Sequence, residues 1–134
     1  MKETIKLETG EFSNEELECL LNSLPVDITF VDDTDTVKYF SRLGKRIFPR
    51  TIAVIGRKVQ QCHPQKSISK VEEILRDFRA GKRDSAEFWI NMKGRMVHIR
   101  YFAMRSANSK YLGCLEVSQD ITEIQKLKGE KRLF

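Results

Sequence analysis

The N-terminal part of the chain places leucines at the spacing of an α-helix. The stripe consists of Leu17, Leu20, Leu21 and Leu24. These positions fall on one side of a helix, so one face would be apolar. Ser13 and Glu16 precede the stripe as a capping box, and Pro25 follows it as a stop signal. We therefore expect a helix that buries one face, preceded over residues 1–11 by a flexible lead-in.

Alternating apolar and polar residues predict strands in two groups. The first group is a hairpin, with one strand from Val26 to Asp32 and the next from Thr36 to Phe40. The second group comprises three strands near residues 86–92, 95–105 and 110–119. The strand over 95–105 carries large apolar side chains on both faces, which favours a position inside a sheet.

A helix and an irregular segment separate the two groups of strands. Residues 41–59 contain glycine and proline breaks, which favour an irregular segment with short helical pieces. Ser67 then opens a predicted helix that runs to about Ala80, where Gly81 stops it. Its apolar stripe consists of Ile68, Val71, Ile74, Leu75 and Phe78.

The last predicted strand passes abruptly into a predicted helix. Asp120 stands where the alternation ends, and Glu123 follows three residues later, which is the spacing of a helix N-cap and its third residue. Ile121, Ile124 and Leu127 continue on one side. We expect an exit helix over residues 120–134 that carries a change in the sheet outward.

These elements together predict the α+β class, with a five-stranded antiparallel sheet, helices over one face, and a flanking helix at each end. The expected divisions are a lead-in and helix over 1–23, a central domain over 24–119, and the exit helix over 120–134. A chain of 134 residues is the size of one domain.

The composition indicates the cellular compartment of the protein. No apolar run approaches the roughly 20 residues that a membrane helix needs, and no signal sequence opens the chain. The three cysteines are odd in number, far apart and without a C-x-x-C pair, which is typical of a reducing compartment. We expect a cytoplasmic protein.

Charge is distributed unevenly along the chain. Residues 1–35 hold ten acids and two bases, whereas residues 36–71 hold nine bases and no acid. The basic segment indicates an anionic neighbour, which is a ligand, the protein's own acidic N-terminal part, or a partner. Nucleic acid is the weaker interpretation, because no aromatic residues interleave with the bases and no helix-turn-helix pattern is present.

Catalytic motifs are missing from the sequence. We find no triad spacing, no phosphate-binding glycine loop and no H-E-x-x-H motif. With two histidines and no clustered carboxylates, we do not expect an enzyme.

The order of elements resembles that of a PAS domain. Leu24–Asp32 is similar to the first PAS strand, Val54–Lys58 to the short helix before the long one, and Gly113–Val117 with the following Gln-Asp-Ile-Thr to the last strand and its junction. The resemblance covers about Leu24 to Ile124. It implies a sensory or interaction domain in which a cavity between sheet and helices binds a small molecule.

A narrower resemblance is to the PAS-like module that ends some bacterial and archaeal proteins of unknown function. The segments that carry it are Leu24–Asp32, Arg46–Arg50, Cys62–Pro64 and Phe88–Gly94. Those proteins carry a hemerythrin-like HHE region upstream, which has no counterpart in this sequence. The resemblance implies that such a domain, or a separate effector protein, is a partner.

Haem is the cofactor for which the sequence offers ligands. His63 lies near the region where haem-binding PAS domains place their axial histidine, and Cys62 precedes it, although Pro64 departs from the pattern. A hydrogen-bonded structural histidine is the alternative. A flavin–cysteinyl adduct is not expected, because Val59 occupies the position of the reactive cysteine in PAS photoreceptors.

Four further side chains are candidates for ligand contact. Arg50 and Arg57 suit an anionic ligand or the haem propionates, and a solvated cluster is the alternative for both. His98 either lines the cavity or packs under a helix, and Tyr101, like other large apolar residues, either lines the cavity or fills it. In the filled case, the protein is a ligand-free dimerisation or interaction module.

Two surface features point to signalling and assembly. Gln119, Asp120, Ile121 and Thr122 form the expected signal junction. Trp89 points to the face opposite Phe88 and Ile90, and an outward Trp on a sheet indicates cover by another element or by a second subunit. We therefore expect a homodimer.

Overall fold

The N-terminal residues form a hairpin that the sequence did not lead us to expect. The computed structural model describes residues 3–134. Strands β1 (Thr4–Leu7) and β2 (Gly10–Ser13) pair antiparallel, with Ile5 opposite Phe12. The prediction of a flexible lead-in over residues 1–11 is therefore wrong for its described part. The apolar side chains of Ile5 and Phe12 meet across the two strands and favour the pairing.

Helix α1 (Asn14–Ser23) begins at the predicted cap. The Glu16 amide donates to Ser13 Oγ at 3.1 Å, and the Ser13 amide donates to Glu16 Oε1 at 2.8 Å, which confirms the capping box. The predicted burial of its leucine stripe is wrong, because no residue of α1 is buried and Leu20 and Leu24 are exposed. Leu17 and Leu21 of the stripe are half-buried in the single chain.

The main sheet has five antiparallel strands. They are β3 (Asp27–Asp32), β4 (Val37–Phe40), β5 (Ser85–Met92), β6 (Arg95–Arg105) and β7 (Tyr111–Asp120). Their spatial order is β4-β3-β7-β6-β5, so β6 has a neighbour on each side as expected. The α+β class and the five-stranded antiparallel sheet are confirmed.

Helix α2 (Gln65–Arg79) covers one face of this sheet. Its buried stripe of Val71, Ile74, Leu75 and Phe78 is the predicted one. The helix begins at Gln65 and not at Ser67, whose hydroxyl donates to the Pro64 carbonyl within the first turn. The stripe packs on Val31, Val37 and Cys114 of the sheet, and this contact is the core of the protein.

Arg46 fastens the irregular segment between β4 and α2 to the sheet. Its guanidinium donates to the carbonyls of Phe48, Ile28 and Ser41 at 3.0–3.1 Å and to Thr29 Oγ1 at 3.2 Å. Short 3-10 turns follow at Ile52–Val54 and Val59–Cys62. The bonds of Arg46 hold the start of this segment against β3.

Gly113 allows β7 to approach β3 closely. Its φ is +145°, and a Cβ at this position would lie 2.1 Å from the Val31 carbonyl oxygen and 2.9 Å from the Asp32 Cα. Both neighbours are backbone atoms that side-chain rotation cannot move. Glycine is required here by the pairing itself.

The predicted exit helix over residues 120–134 is wrong. Asp120 still belongs to β7, and the Ile121 amide donates to the Met96 carbonyl of β6 at 2.9 Å. Only Ile124–Lys126 forms a 3-10 turn after the strand. Leu127 is 76% exposed, so the apolar side of a helix would have no surface to pack on, and a short isolated helix is unstable in water.

Candidate functional site

A small cavity lies between the main sheet and α2. Its volume is about 20 Å³, enough for about one water molecule. It is lined by Val31, Val59, His63, Val71, Ile74, Leu75, Tyr101, Cys114 and Glu116. Most of the wall is aliphatic, and the polar side chains come from the sheet and from the turn before α2.

Haem does not fit this cavity. Sites for ligands of drug size occupy roughly 300–1,000 Å³, far more than the space here. His63 does line the cavity, but the remaining wall leaves no volume for a macrocycle beside it.

Glu116, which lines the cavity, forms an ion pair with Arg50, which does not line it. Arg50 Nη2 lies 3.4 Å from Glu116 Oε2, and the two side chains are 12% and 11% exposed. Arg50 Nε is buried and has no hydrogen-bond partner. The pair is therefore charge-balanced but leaves part of the guanidinium unused.

His63 and Tyr101 add two polar groups without protein partners. Within residues 3–134, neither side chain makes a hydrogen bond to the protein. Burial lowers the pKa of His63, and Arg50 lowers it further against the opposing effect of Glu116, so the ring is neutral near pH 7. Burial, followed by the nearby Glu116 carboxylate, raises the pKa of the Tyr101 phenol.

Cys114 belongs to the wall of the cavity. Burial, with Glu116 next in importance, raises the pKa of its thiol to about 12. A thiol that stays protonated is a poor nucleophile and a poor metal ligand. Its contribution to the site is apolar contact.

The other candidate residues do not line the cavity. Arg57 is exposed, and Cys62 Sγ contacts the Lys58 carbonyl at 3.7 Å. His98 is on the opposite face of the sheet, where Nε2 contacts Glu87 at 2.5 Å. The structure therefore brings together His63, Arg50 and Tyr101 of the predicted set and adds Glu116, which the sequence reasoning missed.

Part of the basic segment pairs with acids of the same chain. Arg42 lies 3.6 Å from the fully buried Asp27 carboxylate, Arg50 pairs with Glu116, and Arg46 binds backbone carbonyls. Of the three anionic neighbours that the sequence allowed, acids within the same chain account for these positions. No signal in the sequence pointed to Glu116, because the alternation in β7 favours Leu115 and Val117 as the buried face, whereas Cys114 and Glu116 are the residues of β7 that line the cavity.

Comparison with known proteins identifies the fold family. The PAS domain family model matches residues 17–122. This chain belongs to the PAS domain family. The C-terminal domain of a Streptococcus mutans protein is 32% identical, with a TM-score of 0.87 over 95% of this chain and 98% of that one.

More distant PAS structures share the fold alone. A sensory box sensor histidine kinase from Vibrio cholerae is 13% identical with a TM-score of 0.56, over 79% of this chain and 89% of that one. The PAS domain of BvgS from Bordetella pertussis is 17% identical with a TM-score of 0.58, over 84% and 88%. A search of curated proteins finds no match. No helix within residues 3–134 has the length and apolarity to cross a bilayer.

The PAS junction is held by hydrogen bonds to the start of β6. Asp120 Oδ1 accepts from the Thr122 amide at 3.0 Å and from its hydroxyl at 2.6 Å, while Oδ2 accepts from Arg95 Nε at 2.8 Å. Thr122 Oγ1 in turn accepts from the Met96 amide at 2.8 Å. The Arg95 bond and then the Thr122 bonds lower the pKa of Asp120 to about 2. Asp120 thus caps a turn that ends the strand, with a role for Arg95 that the sequence did not reveal.

Proposed function

We propose that this PAS domain is a non-catalytic sensor that binds a small molecule in the cavity and changes the junction after β7. The observation that carries the proposal is the cavity itself, which His63, Tyr101 and Glu116 help to line, together with the buried Arg50 Nε, which has no hydrogen-bond partner beside Glu116. Buried polar groups in folded proteins nearly always have a partner. A bound ligand would supply partners here.

Strand β7 supports the proposed route of transmission. Glu116, Ser118 and Asp120 point to the same face, and four residues of strand span about 13 Å. A ligand that changes the contact between Glu116 and Arg50 would act on the strand that also presents Asp120 to Arg95. An effector would respond to this change at the junction, either a hemerythrin-like domain of the same polypeptide or a separate protein.

The test is a fragment screen on ¹⁵N-labelled protein. A ligand that prefers the native state must raise the melting temperature. We expect such a compound to shift the amide signals of Tyr101 and Glu116, and also those of Ile121 and Thr122 at the junction. Binding that shifts the cavity signals alone would contradict transmission, and a screen without any cavity binder would contradict the sensor.

A second candidate function is a homodimerisation module. Trp89 is 64% exposed on the sheet face that α2 does not cover, and α1 exposes Leu20 and Leu24. Two-fold pairing would let each copy cover apolar surface of the other. This arrangement is compatible with a sensor, since many signals pass between paired subunits.

Light scattering tests the dimer. We expect wild-type protein to have twice the mass of the chain and Trp89→Glu to shift it toward the monomer, because a buried unpaired charge is costly. Lys93→Glu, in the turn after the same strand, is the matched control and should leave the mass unchanged. A monomeric wild-type protein at high concentration would contradict this second proposal.

A further inference from the structure

The two edge strands of the main sheet are protected to different degrees. Strand β4 is short and its outer side is occupied, because the Val37 amide donates to the Arg57 carbonyl at 2.9 Å and the Gly56 amide donates to the Val37 carbonyl at 2.8 Å. Strand β5 has 8 residues and pairs with β6 without a bulge, but within residues 3–134 it has no strand on its other side. Soluble proteins rarely leave a long, flat edge strand unprotected. The free edge of β5 is therefore a candidate surface for pairing.

The hydrogen bonds between β5 and β6 show which residues of β5 face the free edge. The Ala103 amide donates to the Asp84 carbonyl at 2.9 Å, directly before β5 begins. Hydrogen-bonded pairs alternate along an antiparallel ladder, so Ala86, Phe88 and Ile90 direct their N–H and C=O groups to β6. The backbone groups of the residues between them point to the free edge. These residues are Ser85, Glu87, Trp89 and Asn91.

The side chains of β5 are exposed on both faces of the sheet. Phe88 and Ile90 share the face of the cavity residue Tyr101 and are 40% and 41% exposed, whereas Trp89 on the opposite face is 64% exposed. Glu87 is the one charged residue of the strand, and its carboxylate contacts His98 Nε2 of β6 at 2.5 Å. The strand contains no proline, no lysine and no bulge, which are the usual means of protecting an edge.

The free edge of β5 can pair with a second copy of itself in an antiparallel register. When Phe88 lies on a two-fold axis, Glu87 pairs with Trp89 of the partner subunit, and Ser85 pairs with Asn91 of the partner subunit. Every backbone N–H and C=O group that faces the free edge over residues 85–91 then has a partner. A hydrogen-bonded edge is the condition that the isolated chain lacks.

Side chains favour this register over its two neighbours. On the face of Phe88, the two Phe88 rings meet, and Ala86 lies opposite Ile90 of the partner subunit, so apolar groups face apolar groups. The neighbouring register in one direction places Glu87 opposite its own copy, and like charges directly opposite are destabilising. The neighbouring register in the other direction leaves Ser85 beyond the end of the partner's strand.

Resting on the proposed homodimer, we propose that two copies of this chain join through the free edge of β5, antiparallel about a two-fold axis at Phe88. Two sheets of five strands become one continuous sheet. Both copies use the same edge, and the outer side of β4 is occupied, so the assembly closes at two copies. A strand of another protein would meet the same backbone groups, but the match of β5 to itself favours a second copy.

The decisive measurement is amide hydrogen exchange of the full chain, followed by NMR over a dilution series. Where light scattering shows a dimer, we expect the amides of Glu87 and Trp89 to exchange as slowly as that of Phe88. Dilution to the monomer should accelerate exchange at Glu87 and Trp89 at least about tenfold, because bonds between the copies are lost by mass action. The Phe88 amide should remain slow, since it is bonded to β6.

Glu87→Pro tests the edge by removing one N–H group that faces it. Proline is tolerated in an edge strand where the N–H group faces solvent, so each copy should stay folded. We expect the mass in light scattering to fall from two chains to one. Glu87→Ala is the matched control, because it loses the same contact with His98 but keeps the N–H group, and it should remain a dimer. Should Glu87→Pro fail to fold, the exchange pattern of the wild-type protein decides alone.

The outcomes separate this inference from the proposed homodimer. A dimer that survives Glu87→Pro, or whose Glu87 and Trp89 amides exchange fast, would overturn the edge and leave a homodimer joined through a face of the sheet. A monomer at high concentration would overturn both proposals. Slow exchange of these two amides in the monomer would also overturn the edge pairing, because a segment of the same chain would then cover β5.

Discussion

Two arginines four residues apart on the same segment behave in opposite ways. Arg46 donates four hydrogen bonds and lies over the Phe40 ring, so its guanidinium is almost fully used by the fold. Arg50 makes one contact, at 3.4 Å with Glu116, and keeps a buried Nε without a partner. The same residue type uses nearly all its donors in the fold at one position and leaves a buried donor without a partner at the other.

The difference separates two kinds of buried arginine in this protein. A buried group whose hydrogen bonds all end on the protein stabilises one conformation and has little left to bind with. A buried group that lacks partners costs stability, and its retention is consistent with a site that binds something else. The comparison assigns Arg46 to the fold and Arg50 to the site.

Arg46→Met should have the largest effect on stability. It removes the four hydrogen bonds that the charged guanidinium donates. The carbonyls of Ser41 and Phe48 then lose this donor. We expect the free energy of unfolding to fall by about 3 kcal/mol, measured by urea denaturation. Lys45→Met, on the exposed neighbour, is the control and should change it by less than about 0.5 kcal/mol.

The counterpart at Arg50 is the double variant Arg50→Met/Glu116→Gln. Replacing both members of a buried ion pair is often neutral, since the desolvation cost disappears with the attraction. We expect a change of less than about 1 kcal/mol, smaller than for either single variant. A loss as large as that of Arg46→Met would mean that both arginines are structural and would end the comparison.

Thr29 and Tyr101 sharpen the comparison, because they flank Glu116 on the two neighbouring strands. Thr29 is buried and accepts from Arg46, so Thr29→Val should cost about 1 kcal/mol. Tyr101→Phe loses no hydrogen bond to the protein and should cost less than about 0.5 kcal/mol. Thermal unfolding of both variants measures these two losses of stability. Equal losses would contradict the distinction between groups bound within the fold and groups without a protein partner.

The smallest expected effect is the response of His63 to pH. Burial lowers its pKa in the folded state below the ordinary value of 6.5, so the unfolded chain takes up the proton first as the pH falls. Stability should therefore decline from pH 6.5 downward until the pH reaches the folded-state pKa. His63→Gln should remove this part of the decline in urea denaturation series, and His98→Gln should retain it. Identical curves for wild type and His63→Gln would refute the assignment.

Local patterns predicted most of the fold. The alternation in β3 and β5–β7, the stripe of α2 and the cap of α1 depend on residues close in sequence, where the period of a strand or helix is visible. The exit helix failed although Ile121, Ile124 and Leu127 have the right spacing. Spacing does not show whether the fold offers a surface on which the helix could pack. In addition, the Asp120 carboxylate binds Arg95 and Thr122 instead of capping a helix.

The site was less accessible from the sequence. His63, Arg50 and Tyr101 were named as candidates for separate reasons, but nothing local links Arg50 to Glu116, which lies 66 residues away. The contrast between Arg46 and Arg50 is equally invisible in the sequence, because both belong to one basic run. Only the tertiary contacts determine which of the two arginines uses nearly all its N–H groups in hydrogen bonds to the protein.

The small size of the cavity has a consequence for the speed of the response. A space for about one water molecule beneath α2 is too small for a larger molecule, so binding must wait until the turn or the helix moves outward. Such collective motions take microseconds to milliseconds. The observed association rate should then level off as ligand concentration rises, at a ceiling set by the opening step. Above that concentration, the protein and not the supply of ligand determines how quickly a signal begins.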